Sequence, residues 1–174
     1  MDKFIILDRD NTLNYDSGYL HKPENLKILN GIIQGLSLLN KYGYRFIVVS
    51  NQSGVGRGYF NLNDVVNVNN KLDDMLIKHD IQIEKFYFCP HSPEANCTCR
   101  KPMTGLFDYI MDDFDIDKSK SFMIGDKKSD IVFGKRVGLR TIKIKTDKNN
   151  SGIEDFFADN LQKAARWIIS NYEK

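Results

Sequence analysis

Residues 4–13 of the chain read Phe-Ile-Ile-Leu-Asp-Arg-Asp-Asn-Thr-Leu. The apolar run Phe4–Leu7 predicts a strand that is buried on both faces. Asp8 and Asp10 are two residues apart, so in extended backbone their side chains point the same way. Two carboxylates placed like this repel each other unless a proton or a cation separates them, and Mg²⁺ prefers such oxygens. The structural alternative is a turn or a capping pair.

Apolar runs and helical spacing alternate along the rest of the chain, which indicates an α/β protein. The pattern predicts further strands at Arg45–Val49, Lys85–Phe88, Ser121–Ile124 and Arg140–Ile144. It predicts helices over Gly31–Tyr42, from an Asn61 or Asn63 cap to about His79, over Thr104–Phe114 and Ser129–Val137, and one or two helices within Ile153–Ser170. We expect a Rossmann-like parallel sheet with helices on both faces, and one domain over residues 1–174.

Polar side chains follow four of the predicted strands. Asp8 and Asp10 follow the first, Ser50 and Asn51 the second, Cys89 and His91 the third, and Asp126 the fourth. Ligands of such folds bind beyond the carboxyl ends of the strands, so these residues should share one edge of the sheet.

Three further segments carry chemistry suited to phosphate. A glycine-containing loop over residues 50–58 offers a hydroxyl and backbone N–H groups. The pair Arg100–Lys101 offers a guanidinium and an ammonium, and Gly125–Asp130 places Asp126 and Asp130 at a strand–helix junction. Taken singly, these segments are equally typical of a plain loop, a solvated basic pair and a helix cap.

The order of these segments resembles the haloacid dehalogenase superfamily, whose motifs run Asp-x-Asp, Ser/Thr, Lys, then Gly-Asp-x-x-x-Asp. The resemblance covers nearly the whole chain. One departure is Asn11 in the position where glycine is usual. Asparagine tolerates a left-handed backbone, so we expect the turn to be kept.

The resemblance implies a phosphatase that works through a covalent aspartyl-phosphate. Asp8 is the implied nucleophile, and Asp10 is the implied general acid and then base. Mg²⁺ would bind Asp8, the backbone carbonyl of Asp10, and Asp126. Ser50, the Asn51 amide and Lys101 would neutralise the transferring phosphoryl group. Asp130 would orient Lys101 or a metal-bound water, or merely begin a helix.

The cysteines of the chain lie close together in a polar segment. Cys89, His91, Cys97 and Cys99 supply three thiolates and one imidazole, which complete a tetrahedral zinc site with no open position. The alternative is three unrelated small core residues. We expect structural Zn²⁺ that folds the loop delivering Arg100 and Lys101.

This loop, ending in Cys-x-Cys-Arg-Lys-Pro, resembles two related phosphatase families within the superfamily. One removes the 7-phosphate of D-glycero-D-manno-heptose 1,7-bisphosphate, and the other acts on histidinol phosphate. Residues 51–60 and 16–21 favour the heptose family. The implied substrate contacts are Asp16, Ser17, Gly18, Tyr19, Ser50, Asn51, Gln52, Ser53, Arg100, Lys101 and Lys127. Without an inserted domain the site should be capless and open.

The formal net charge of +2 is too small to indicate a nucleic-acid surface or a membrane-binding patch. No signal peptide and no apolar run of membrane-spanning length is visible, so we expect a cytoplasmic monomer. Two alternatives remain open: a catalytically silent binding module held by zinc, and a phosphatase of polynucleotide ends. Intact Asp8, Asp10, Lys101 and Asp126 speak against the first. The slight charge speaks against the second.

Overall fold

The computed structural model describes residues 1–145 and 152–173. Its six strands form one all-parallel sheet in the order β3-β2-β1-β4-β5-β6. The strands are β1 Phe4–Leu7, β2 Arg45–Asn51, β3 Ile83–Cys89, β4 Phe122–Gly125, β5 Arg140–Ile144 and β6 Phe156–Ala158. The helices are α1 Ile32–Lys41, α2 Ser53–Gly56, α3 Leu62–Ile77, α4 Gly105–Asp113, α5 Lys128–Arg136 and α6 Leu161–Tyr172.

The central strand β1 explains why the sheet is covered on both faces. All four of its side chains are fully buried, and they alternate between two apolar clusters. Ile5 and Leu7 join the cluster formed with α1, α3 and α6, whereas Phe4 and Ile6 join the one formed with α4 and α5. A parallel strand buried in this way reads as a continuous apolar run. The predicted Rossmann-like α/β class is therefore confirmed.

The N-terminus of α3 shows how local sequence sets an element boundary. The Asn61 side chain accepts a hydrogen bond from the Asp64 N–H, and the Asp64 carboxylate accepts one from the Asn61 N–H. This reciprocal capping box satisfies two N–H groups that the first helical turn leaves unpaired. The choice between Asn61 and Asn63 is thereby settled in favour of Asn61.

Two sequence-based expectations about elements were wrong. Residues 153–170 are not helical throughout, because Phe156–Ala158 forms the sixth parallel strand before α6 begins. Strand β2 is two residues longer than expected and β3 extends to Cys89, so Ser50, Asn51 and Cys89 end their strands rather than follow them. Three-residue strands carry almost no periodicity, and polar strand ends look like loops. The connection from β1 to α1 holds a 3-10 turn at Pro23–Asn25 and isolated β-bridges, so no cap domain interrupts the described residues there.

Candidate active site

The Asp8 carboxylate lies at the carboxyl end of β1, between β2 and β4. Leu7 pairs with Val48 and Ile124, and the Asp8 N–H donates to the Ile124 carbonyl at 2.9 Å. The ammonium of Lys101, only 2% exposed, donates to Asp8 Oδ1 at 2.8 Å and lies 2.7 Å from Asp130 Oδ1. Three of the predicted motifs therefore meet at the Lys101 ammonium, which forms buried ion pairs with both Asp8 and Asp130.

Negative charge exceeds positive charge at this point. Burial raises the pKa of Asp8 well above its usual value, and the nearby carboxylates of Asp130, Asp126 and Asp10 raise it further, against the opposing effect of Lys101. Burial would lower the pKa of Lys101, but Asp130 and Asp8 raise it, so the ammonium stays charged. Lys101 and Lys127 supply two positive charges against the three carboxylates of Asp8, Asp126 and Asp130, so a further cation would relieve the remaining repulsion.

The donor set fits a hard divalent cation. Carboxylate oxygens of Asp8, Asp126 and Asp130 lie within 4.8 Å of one another. Asp126 Oδ1 is buried and has no hydrogen-bond partner within residues 1–145 and 152–173. A buried carboxylate oxygen without a partner is costly, and Mg²⁺ prefers such oxygens together with water and phosphate. Asp8 and Asp126 therefore fit the predicted ligand roles, while the geometry adds Asp130, which the sequence assigned only to orientation or capping.

The Asp10 carboxylate belongs to a separate network. Its oxygens accept hydrogen bonds from Arg9 Nε at 3.0 Å, Arg9 Nη2 at 3.1 Å, Asn14 Nδ2 at 3.1 Å and Gln52 Nε2 at 2.9 Å. Burial alone would raise the pKa of Asp10, but the Arg9 charge and these hydrogen bonds hold it below its ordinary value. The side chain is thus firmly oriented beside Asp8.

Asn51, the last residue of β2, fixes the backbone of Lys101 through two hydrogen bonds. Asn51 Nδ2 donates to the Lys101 carbonyl and Asn51 Oδ1 accepts from the Lys101 N–H, both at 3.0 Å. The Asn51 side chain is therefore held on the Lys101 backbone. Ser50 is 2% exposed, and its Oγ accepts a hydrogen bond from Gln52 Nε2 at 3.2 Å.

The loop after the Asp-x-Asp motif is built by its own polar side chains. Asn11 has φ 60°, so asparagine does take the left-handed backbone expected of it. Its Oδ1 accepts from the Asp16 N–H at 3.0 Å. Asp16 Oδ1 in turn accepts from the Gly18 N–H at 2.9 Å and the Leu20 N–H at 3.0 Å. Residues 16–19 therefore form a turn, as one reading of the sequence predicted, and Asp16, Gly18 and Tyr19 also line the cavity.

A cavity of about 310 Å³ opens above the Asp8–Lys101 pair, within the usual size of a small-molecule site. Its lining comprises Asp8, Asp10, Asp16, Gly18, Tyr19, Asn51, Gln52, Ser53, Gly54, Arg100, Lys101, Lys127, Ser129 and Asp130. Ser17, Ser50 and Asp126, which the sequence placed in the site, are not among the lining residues. Gly54 belongs to the glycine-containing loop that the sequence indicated for ligand contact. Ser129 is an addition, and only its position within the Gly125–Asp130 segment could have indicated it.

The thiol and imidazole groups expected to bind zinc come together. Sulfur–sulfur distances among Cys89, Cys97 and Cys99 are 3.1 to 3.5 Å, and His91 Nδ1 lies 3.2 Å from Cys99 Sγ. A tetrahedral zinc ion with bonds near 2.3 Å places its sulfurs about 3.8 Å apart, close to this spacing. These distances exclude a disulfide, and the three cysteines are free. The cluster is compatible with a closed zinc site.

The buried nucleophile-type carboxylate, its lysine and the surplus of aspartates define the class as a phosphatase of the haloacid dehalogenase superfamily. Comparison with known proteins agrees. The family model described as HAD-hydrolase-like matches residues 98–166. The solved D,D-heptose 1,7-bisphosphate phosphatase of B. bronchiseptica, complexed with magnesium and phosphate, superposes with a TM-score of 0.86 at 25% identity, covering 97% of this chain and 98% of that one.

Relatives of known name indicate which family within the superfamily the chain belongs to. The D-glycero-beta-D-manno-heptose-1,7-bisphosphate 7-phosphatase of Haemophilus influenzae is 36% identical over 92% of this chain and 94% of its own. The enzyme of the same name from Escherichia coli is 32% identical over 96% and 88%. The chain belongs to the family of D-glycero-D-manno-heptose-1,7-bisphosphate 7-phosphatases. In the described part of the chain, no helix combines the length and apolar character needed to cross a membrane.

Proposed function

We propose that the protein hydrolyses the 7-phosphate of D-glycero-D-manno-heptose 1,7-bisphosphate, with Mg²⁺ at the reacting centre. The observation that carries the proposal is the buried Asp8 carboxylate, 2.8 Å from the Lys101 ammonium, at the floor of a polar cavity. The family membership given by relatives of 36% and 32% identity supports the choice of substrate.

The chemistry runs in two displacements at phosphorus. An Asp8 oxygen forms a bond to phosphorus as the bond to the sugar oxygen breaks. Asp10 is ionised in the free protein because Arg9 and its hydrogen bonds lower its pKa, so it first takes the proton of the bound monoanionic phosphate ester and then passes that proton to the leaving sugar oxygen. Asp10 then takes a proton from a water that attacks the aspartyl-phosphate, releasing phosphate and restoring Asp8. Lys101, Ser50 and the Asn51 N–H neutralise the phosphoryl oxygens. Mg²⁺, held by Asp8, Asp126 and the Asp10 carbonyl, would supply further positive charge to this group.

Arg100 is the residue that best explains a preference for a bisphosphate. It lines the cavity beside Lys101, and its Nη1 atom is buried without a hydrogen-bond partner among the described residues. A guanidinium left unpaired in a cavity is suited to a second phosphate or to sugar hydroxyls. Lys127, whose pKa is lowered by burial but raised more by Asp8 and Asp126, stays cationic at the same cavity. The loop residues Asp16–Tyr19 and Gln52–Ser53 complete the proposed contacts.

Zinc has a structural part in this proposal. The ligand Cys99 directly precedes Arg100 and Lys101, so fixing the thiolates fixes the point from which both cations enter the cavity. The loop also packs on the glycine-containing loop, because Gly56 N–H donates to the Pro90 carbonyl at 2.8 Å. A closed four-ligand site contributes folding free energy to a segment with few apolar residues of its own.

We further propose that residues 1–174 act as a single-domain, cytoplasmic monomer. One sheet with two apolar clusters supports the single domain. A thiolate zinc site, which needs reduced cysteines, supports the cytoplasm. Sedimentation of the purified protein at one-chain mass would support the monomer, and a dimer mass would refute it.

A panel of phosphate esters tests the substrate. The heptose bisphosphate should give a much higher kcat/KM than histidinol phosphate, with the 1-phosphate left on the product by ³¹P NMR. Arg100→Ala should lower kcat/KM for the bisphosphate about tenfold to a hundredfold, because one charge-assisted contact is lost. The control Arg166→Ala removes an exposed arginine on α6 and should change nothing. Equal or faster hydrolysis of histidinol phosphate would overturn the proposed substrate.

A further inference from the structure

Arg9 is a buried arginine that the chemistry described so far does not use. It lies between Asp8 and Asp10 in the sequence, and its side chain is 0% exposed. Burying a guanidinium costs free energy unless its N–H groups are paired. Here Nε and Nη2 form a two-pronged contact with the Asp10 carboxylate, and Nη1 donates to Asn69 Oδ1 at 2.9 Å.

Asn69 is equally unusual for its place in the fold. It lies in the middle of α3, is only 5% exposed, and shares the buried face with Val65, Val68 and Leu72. An amide on such a face costs stability unless it forms a hydrogen bond. Its Oδ1 accepts from Arg9 across the gap between α3 and the catalytic loop, so the helix fixes the guanidinium and, through it, the carboxylate of Asp10.

The arrangement of donors shows what Arg9 contributes beyond charge. Each Asp10 oxygen accepts two hydrogen bonds: Oδ1 from Arg9 and Asn14, and Oδ2 from Arg9 and Gln52. Asn14 and Gln52 are single-point contacts from loop segments, whereas the planar guanidinium fixes both oxygens at once. Only Arg9 is itself tied to a long helix. The orientation of the carboxylate plane therefore depends chiefly on Arg9 and Asn69.

We propose that Arg9, anchored by Asn69, is a positioning residue that orients the Asp10 carboxylate for proton transfer to the leaving oxygen. The inference rests on the proposed function, because it assumes that Asp10, ionised in the free protein, takes a proton from the bound phosphate ester and delivers it to the leaving oxygen. A proton donor must lie within hydrogen-bond reach of its acceptor, and small misplacements cost rate steeply. Loss of the anchor should therefore harm the reactions that need a proton on the leaving group most.

The leaving group separates positioning from general support of the fold. A sugar or alkyl phosphate expels a poor leaving group that needs protonation, whereas p-nitrophenyl phosphate expels a stable phenolate that needs little. The parameter kcat/KM reports steps up to the first irreversible one, which excludes the later hydrolysis of the aspartyl-phosphate. The ratio of kcat/KM for an alkyl phosphate to that for p-nitrophenyl phosphate therefore measures the proton donation.

Asn69→Leu is the test variant, because it keeps the size of the side chain on an apolar helix face and leaves Arg9 and Asp10 in place. The ratio should fall about tenfold, with KM for both esters little changed. Asn70→Leu, the same exchange at the exposed neighbouring position, should leave the ratio unchanged. Thermal unfolding should show both variants folded at the assay temperature. Arg9→Lys, which keeps the charge but not the two-pronged contact, should lower the ratio in the same direction.

Equal losses on the two esters in Asn69→Leu would overturn the inference and leave Asn69 a purely structural residue. No loss on either ester would overturn it as well. Inactivity of the unmodified protein on the heptose bisphosphate as well as on both esters would instead refute the proposed function, so the two failures are distinguishable.

Discussion

Replacing Asp126 by asparagine should stabilise the magnesium-free protein while abolishing its response to magnesium. Asp126 is 6% exposed, and one of its carboxylate oxygens has no hydrogen-bond partner in the part of the chain that the structure describes. Burial raises its pKa, and the Asp130 charge raises it further against the opposing effect of Lys127. The ionised group therefore costs the folded protein free energy until a cation arrives.

The size of the effect follows from the spacing of the carboxylates. Their ligand oxygens lie within 4.8 Å of one another, and at an effective dielectric constant near 20 two such charges repel by about 3.5 kcal/mol. Lys101 and Lys127 offset part of this repulsion, so Asp126→Asn should raise the free energy of unfolding by roughly 1–2 kcal/mol without magnesium. At saturating Mg²⁺ the unmodified protein should gain stability by mass action, whereas the variant should not.

Urea unfolding at several pH values measures this prediction. Magnesium should be removed with a resin rather than with a strong chelator, so that zinc stays bound. The pKa of Asp126 is raised in the folded state. Below the pKa that it has in the unfolded chain, Asp126 is protonated in both the folded and the unfolded protein, so the variant and the unmodified protein should have the same free energy of unfolding. The advantage of the variant should grow as pH rises through the folded pKa.

The exposed residue Asp108 on α4 provides the matched control, and Asp108→Asn should behave like the unmodified protein with and without magnesium. A variant Asp126→Asn that is less stable than the unmodified protein at neutral pH without magnesium would refute the reasoning. So would a retained stabilisation by Mg²⁺, because the account assigns that response to the carboxylate of Asp126.

Three further predictions concern separate contacts. Gly125→Ala should lower activity more than a hundredfold, because an added Cβ would lie 2.4 Å from Asp130 Cβ and displace the partner of Lys101; activity within threefold of normal would contradict this. Cys99→Ser should lose zinc by elemental analysis and lower the midpoint of thermal unfolding; a full zinc complement would contradict the four-ligand site. Asp155→Asn should cost about 1 kcal/mol at pH 7 in urea unfolding, since Asp155 pairs with Lys135 and Thr141. Burial alone would raise the pKa of Asp155, but Lys135 and Thr141 lower it. The cost should therefore vanish as pH falls through the folded pKa, and a cost independent of pH would contradict the assignment.

The sequence predicts the central part of the fold well because buried parallel strands are locally encoded. Phe4–Leu7 and Arg140–Ile144 have the bounds expected from their apolar residues. Phe156–Ala158 could not be predicted in the same way, because a three-residue strand is defined by pairing with Ile142–Ile144 rather than by its own pattern.

The candidate site is predicted in part for a similar reason. Residues that follow strands, such as Asp8 and Asp126, fall at one edge of the sheet because the strands are parallel. The contact of Arg9 with Asn69 spans 60 residues and joins two elements, and an asparagine inside a helix gives no sign of its partner. The commitment of the Asn51 side chain to the Lys101 backbone is likewise a tertiary contact.

The central claim is that Asp8 forms a covalent bond to the phosphoryl group. Rapid acid quenching during turnover of the heptose bisphosphate, followed by peptide mass spectrometry, tests it most directly. The account predicts a phosphoryl group on Asp8 that appears at least as fast as phosphate is released and is absent in Asp8→Asn, which should remain folded but inactive. Turnover without a phosphorylated peptide, or normal phosphate release by Asp8→Asn, would contradict the account.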